Sequence, residues 1–232
     1  ALAQAQAAAS HVGLSPDEEA RGMKIFRMLD KDFSGVLEIS ALDGLAAGGT
    51  GEEMLAVLDS NGDGEVSADE WLAYLALTKS SKGDSFLGKF VGSMESKLGE
   101  RAGEAAGLDV MRSGGTVSEI GRAAVDAALS SGLNKEDAAV VAGEAAGAAV
   151  IARGGTREEA RAAAVEATRD AGGSASAQGS VSGSVVLKNG GSVEEVGEAA
   201  VKGARGGGAS KEEAAAAAGL AVGKAVVSAG GS

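Results

Sequence analysis

The chain has no cysteine, a single histidine, a single proline and only 3% aromatic residues. Without cysteine there is no disulfide, no thiolate metal site and no thiol nucleophile, and the redox compartment stays open. The histidine, His11, lies in an Ala-rich stretch and reads as a solvent-facing side chain. Histidine acid–base catalysis is therefore not expected, and catalysis would be left to carboxylate, Lys or hydroxyl groups. No constellation of those is visible, so an enzyme is not expected. No apolar run approaches the length of a bilayer span, so no membrane span is expected. A small-molecule substrate is not expected either.

Glycine is abundant, at 38 residues, and alanine more so. The formal net charge of -12 is unevenly spread. Residues 15–79 carry 14 acidic and 5 basic side chains, and the remainder contributes only about -3. Acidity on this scale argues against nucleic acid or an anionic membrane as partner. The chain starts at Ala1 within Ala-Leu-Ala-Gln-Ala-Gln-Ala-Ala-Ala, which reads equally as an end left by presequence removal or as a trimmed start.

The acidity centres on twelve residues, Asp59-Ser60-Asn61-Gly62-Asp63-Gly64-Glu65-Val66-Ser67-Ala68-Asp69-Glu70. Oxygen-bearing side chains stand at positions one, three, five, nine and twelve, with Gly64 at position six for the sharp turn. This is the spacing that wraps seven oxygens around Ca2+. Asp59, Asn61 and Asp63 would give side-chain oxygens and Glu65 its backbone carbonyl. Ser67 would reach the ion directly or through water, and Glu70 would close the shell with both oxygens. The segment resembles the EF-hand family at every ligand position.

A second loop runs from Asp30 to Ala41. Asp30, Asp32, Ser34, the carbonyl of Val36 and Glu38 occupy ligand positions, but Ala41 stands where the bidentate Glu belongs. Two ligand contacts and one negative charge are lost, which Glu38 would offset only in part. One ion is expected in the second loop, and weak or no binding in the first. EF-hands work in pairs joined by a two-strand bridge, which here would set Leu37 against Val66. The resemblance covers residues 15–78.

Helix signals flank the loops. Ser15-Pro16-Asp17-Glu18 is an N-terminal cap with Pro at the first helical position, followed by an Ile25, Phe26, Leu29 stripe. Thr50-Gly51-Glu52-Glu53 is a capping box before Met54, Leu55 and Leu58. Trp71, Leu72, Tyr74, Leu75 and Leu77 form the exit helix, with Trp71 expected in the core. Met23, Met28 and Met54 are compatible with an adaptable groove.

Beyond Lys82 one pattern recurs four times: Gly, three residues, Gly, six residues, then Gly-Gly and Thr or Ser. It falls at Gly103/Gly107/Gly114-Gly115-Thr116, Gly143/Gly147/Gly154-Gly155-Thr156, Gly179/Gly183/Gly190-Gly191-Ser192 and Gly219/Gly223/Gly230-Gly231-Ser232. Val110, Val150, Val186 and Val226 keep the same place in each copy, and the copies lie 40, 36 and 40 residues apart. Internal duplication is the explanation.

Each repeat reads as two helices. The Gly-Gly pair ends one, and Thr116/Glu119, Thr156/Glu159 and Ser192/Glu195 form capping boxes for the next. Further starts fall at Asn134 and Ser210. The third copy has only Ser174-Ala175-Ser176-Ala177 there and predicts a shorter or looser helix. Glycines at i and i+4 share a helical face, so close helix–helix approach is expected in each copy. A membrane GxxxG contact is disfavoured by the charges on these helices. A phosphate cradle is disfavoured because no GxGxxG or GxxxxGK[ST] is present.

Between the two parts, Phe86, Phe90, Met94 and Leu98 recur at four-residue spacing. They predict a helix that continues into the repeats and touches the EF-hand pair. The alternative is an intramolecular target laid in the EF-hand groove.

The expected fold is all-α. A tail at residues 1–14 precedes the EF-hand pair at 15–80, a connecting amphipathic helix at 81–102, and helical hairpins at 103–232. The expected role is a calcium-binding, non-enzymatic accessory protein with protein partners in a larger assembly, a plastid or other organelle being one setting. The alternative is a calcium sensor whose groove binds or releases the Phe86–Leu98 helix or a partner helix.

Overall fold

The computed structural model describes residues 13–42 and 51–228. His11, Thr50 with its capping box, and Gly230-Gly231-Ser232 lie outside them. Among the described residues there are eleven helices and one two-stranded antiparallel bridge, so the fold is all-α. The chain divides into two units, Ala1–Leu98 and Gly99–Ser232.

In the first unit, Ser15 opens α1 (Pro16–Leu29) with a complete capping box: Glu18 N–H donates to Ser15 Oγ at 3.3 Å, and Ser15 N–H donates to Glu18 Oε2 at 2.6 Å. Ile25, Phe26 and Leu29 are buried on one side of the helix. β1 (Val36–Leu37) leads into α2 (Ile39–Leu42), and α3 (Gly51–Leu58) precedes the second loop. β1 pairs with β2 (Val66–Ser67), and Leu37 faces Val66. Both side chains are fully buried, so the bridge ties the loops together through the core.

α4 (Ala68–Lys82) packs on α1. Gly22 permits the close approach, because a Cβ there would stand 2.6 Å from Leu75 Cδ1 and 3.0 Å from Leu72 Cδ2. The indole N–H of buried Trp71 donates to the Gly22 carbonyl at 2.8 Å. Lys79 bonds Glu18 at 2.7 Å, giving the two helices a polar clasp at their rim.

α5 (Asp84–Arg112) runs through the boundary between the units. Its first half buries Leu87, Val91, Met94 and Leu98 in the core of the first unit. This corrects the stripe read from sequence: Phe86 is exposed and Phe90 half-buried at its flank. The two phenylalanines instead extend a chain of ring contacts from Trp71 through Tyr74.

The second unit comprises the rest of α5, then α6 (Val117–Ser130), α7 (Lys135–Ala152), α8 (Arg157–Asp170), α9 (Ala175–Lys188), α10 (Val193–Gly206) and α11 (Lys211–Ser228). The glycine pairs lie where helices cross. A Cβ on Gly103 would stand 2.4 Å from Val141 Cγ1 and 2.8 Å from the Ala124 carbonyl. On Gly143 it would meet Thr168 Oγ1 at 2.1 Å and the Ala164 carbonyl at 2.6 Å. On Gly179 it would meet the Ala200 carbonyl at 2.7 Å. Each glycine-bearing helix thus sits against the two helices that follow it. The fourth pair departs from the expectation: among the described residues, Gly219 and Gly223 have nothing within 4 Å.

The Gly-Gly turns explain the fixed valine. Gly114, Gly154 and Gly190 adopt φ of 83°, 81° and 74°, a region costly for other residues. The second glycine of each turn donates to the valine carbonyl five residues back at 2.9 Å. A Cβ there would lie 2.2–2.5 Å from that valine's Cγ1.

The capping boxes at Thr116, Thr156 and Ser192 are formed. The third copy lacks its own carboxylate at Ala177, and Glu136 of α7 supplies one by accepting from the Ser174 amide and hydroxyl. α9 has 14 residues against 18 in α7 and α11, so it is shorter by about one turn but regularly formed.

Candidate metal centre

The second loop is shaped by its own backbone amides. Asp59 follows α3, and its Oδ1 accepts from Gly62 N–H at 2.7 Å and Asp63 N–H at 3.3 Å. Its Oδ2 accepts from Gly64 N–H at 2.9 Å. Asn61 Oδ1 accepts from Asp63 N–H at 2.8 Å, and Asp63 Oδ1 accepts from Glu65 N–H at 3.0 Å. Gly62 and Gly64 take φ of 75° and 89°. The chain therefore curls around the side chains at positions one, three and five.

Glu70, at position twelve, holds the two ends of the loop together. Oε1 accepts from the Ser60 amide and hydroxyl at 3.0 and 2.9 Å and from Asn61 N–H at 3.2 Å. Oε2 accepts from the Ser67 amide and hydroxyl at 2.9 and 2.8 Å. Burial raises the carboxyl's pKa, but the Ser67 and Ser60 hydrogen bonds outweigh it and hold Glu70 below the usual carboxylate range. Ser67 is also the N-cap of α4, with Glu70 its capping-box partner. The same carboxylate thus caps the exit helix and stands at the last ligand position. The Ser67-x-x-Glu70 spacing carried the helix-cap role in the sequence, as a capping box; the Ser60 contacts had no such signal.

Among the described residues no three acidic side chains converge as a ready metal cluster. The donor set nevertheless fits a hard cation. Asp59, Asn61, Asp63, Ser67, Glu70 and the Glu65 carbonyl all offer oxygen atoms on one twelve-residue loop.

The first loop has the same frame and a weaker donor set. Asp30 Oδ1 accepts from Ser34 N–H at 3.0 Å and Oδ2 from Gly35 N–H at 2.9 Å. Asp32 Oδ1 accepts from Ser34 N–H at 3.2 Å, and its pKa is lowered chiefly by the Ser34 hydroxyl. Ser34 Oγ donates to the Val36 carbonyl at 3.1 Å. Glu38 is exposed, and Ala41 lies on α2 with no oxygen to offer. Phe33 takes φ of 58° at position four, where the second loop has Gly62, and is 87% exposed. A bulky residue in that region costs about 1–2 kcal/mol, a further difference between the loops.

An acidic loop between two helices, joined by a short bridge to a second such loop, defines the class. Residues 52–75 match the EF hand family and are an EF-hand segment. The match spans α3, the second loop and the first half of α4. No curated protein and no solved structure matches the chain. No helix among the described residues is long and apolar enough to cross a membrane.

Proposed function

We propose that this chain is a calcium-binding, non-enzymatic accessory protein whose EF-hand pair is joined to a helical-repeat scaffold for protein–protein assembly. The observation that carries the reading is the second loop, with an oxygen donor at every ligand position on a backbone curled to receive an ion. The first loop serves as its structural partner through the Leu37–Val66 bridge. The repeat scaffold offers long helical faces, which suit docking to another protein.

A second reading, a calcium sensor, draws support from α5. Its first half buries Leu87, Val91, Met94 and Leu98 against the EF-hand helices, as an intramolecular target would. Calcium would then displace this segment and expose those side chains.

One experiment tests both. Calcium titration by calorimetry, with melting curves in calcium and in chelator, is run on the wild type and on Glu70→Gln. Wild type is expected to bind one ion and melt higher in calcium, and Glu70→Gln to lose both responses while keeping the helix cap. Calcium responses that survive Glu70→Gln would sink the site assignment. A structural ion leaves apolar dye binding unchanged, whereas a sensor raises it.

A further inference from the structure

Duplication gives the second unit two grooves that can be compared position by position, one between α6 and α8 and one between α8 and α10. In the first, Gly121 and Val125 of α6 face Glu166, Ala167 and Asp170 of α8. In the second, the equivalent residues are Arg161 and Val165 of α8 and Lys202, Gly203 and Gly206 of α10. The charge is exchanged. The α6/α8 groove carries Glu166 and Asp170 against Arg122. The α8/α10 groove gathers Arg161, Arg169 and Lys202 against Glu158 and Glu166, in a chain of net charge -12. Its volume is about 330 Å³, at the small end for ligand sites. Gly206 keeps it open, since a Cβ there meets no described atom within 4 Å.

Two of the cations converge. Arg161 of α8 and Lys202 of α10 both donate to Glu158 Oε1, at 2.5 and 3.3 Å. The Arg161 side chain is only 17% exposed, whereas Glu158 is 68% exposed and free to swing into water. Arg169 donates to Gln178 Oε1 at 3.4 Å. A second observation is independent of charge. Ser182 of α9 lines the same groove, is fully buried, and its hydroxyl has no hydrogen-bond partner. The equivalent residues are Ala106, Ala146 and Val222, so the repeat has no structural need of a hydroxyl there. A buried hydroxyl without a partner costs stability.

We propose that the α8/α10 groove is an anion site that takes a phosphate group, free or carried by a small molecule. The Glu158 oxygen shared by Arg161 and Lys202 marks the point where a phosphate oxygen sits. Glu158 leaves that point when the ligand arrives. The Arg161 fork then meets two phosphate oxygens and Lys202 adds a point charge. Ser182 brings a hydroxyl that no group of the chain engages. The α6/α8 groove, with Glu166 and Asp170 in the places of Lys202 and Gly206, repels the same ligand.

The test is calorimetric titration of the full chain in calcium-free buffer at constant ionic strength, with inorganic phosphate and glycerol 3-phosphate as probes. Saturable binding of one phosphate group is expected, with Kd of about 1 mM or below. The tighter probe tells free phosphate from a phosphate ester. Lys202→Glu gives this groove the acid of its α6/α8 counterpart and should weaken binding at least about tenfold. Its side chain is 70% exposed, so the melting temperature without phosphate should hold. Arg205→Glu makes the same charge change on the same helix outside the groove and should leave Kd within about twofold. Glu158→Gln removes the competing carboxylate and should tighten binding about threefold. Ser182→Ala should raise the melting temperature without phosphate yet weaken binding about threefold. No saturable binding of either probe up to about 20 mM overturns the proposal. Equal weakening by Lys202→Glu and Arg205→Glu also overturns it, because overall charge rather than the groove then decides. Neither result depends on the calcium loop.

Discussion

The two units bury their interiors by opposite means. The first fills its core with large side chains: Trp71, Ile25, Leu37, Leu42, Leu75, Leu87 and Met94 are all essentially inaccessible. The second has few large side chains to bury and relies on alanine and glycine. Ala124, Ala128, Ala138, Ala160, Ala164, Ala200 and Ala204 form its centre, with Ile120, Val181 and Val196 as the bulkiest fully buried residues. The first unit therefore depends on apolar volume and the second on the closeness of its backbones. Truncation should injure the one and enlargement the other.

The largest expected loss comes from removing volume in the first unit. Trp71→Ala deletes its largest buried side chain and the bond to the Gly22 carbonyl. Destabilisation of about 3–5 kcal/mol is expected by urea titration. The corresponding truncation in the second unit, Ala164→Gly, has one methyl group to remove and should cost about 1 kcal/mol, mostly through helix propensity. Comparable losses at both positions would erase the distinction.

Enlargement should reverse the ranking within the repeats. Gly143→Val places carbon where Thr168, Val181 and the Ala164 carbonyl already stand, two of them on buried side chains. A loss of about 3 kcal/mol is expected, at the upper end for overpacking. Gly219 occupies the same repeat position, with no atom of the described residues within 4 Å of an added Cβ. Gly219→Ala should therefore stabilise the chain by up to about 1 kcal/mol through helix propensity. Melting curves at micromolar protein would separate the two. Equal penalties would mean that sequence position, rather than contact, decides the response.

That pair also marks how far the sequence could be read. The period placed every glycine pair on a helix face, since i and i+4 coincide there. Whether a neighbour covers the face depends on what packs alongside, and the Gly219 pattern is identical to the other three. The α5 stripe failed for a geometric reason. Residues four apart drift about 40° per step around a helix, so Phe86 and Leu98 lie about 120° apart. Leu87, Val91, Met94 and Leu98 alternate steps of four and three and stay on one face. The EF-hand segment around the second loop was legible because such loops use fixed local spacing. Glu136 capping Ser174 was not, because that bond joins residues 38 apart whose proximity arises only from stacked repeats.

The smallest effect separates the units by acid. In the first unit, Glu18 is held below the usual carboxylate range chiefly by its bond to Lys79, which links α1 to α4. In the second, Glu119, Glu159, Glu195 and Glu213 are lowered chiefly by backbone hydrogen bonds at their own helix caps. A carboxyl depressed in the folded state contributes stability that is fully present above its ordinary pKa of 4.5 and lost as pH falls through the folded value. Both units should therefore hold above that point and weaken below it. Fluorescence of Trp71, the single tryptophan, follows the first unit, while far-UV circular dichroism is dominated by the helices of the second. Replacing the four capping glutamates by Gln keeps the cap geometry and removes the titration. The acid loss of helix signal should then move to lower pH while the Trp71 transition stays in place. If both transitions move together, the two units do not respond to acid separately, and the contrast between a core held by volume and one held by closeness fails at its electrostatic edge.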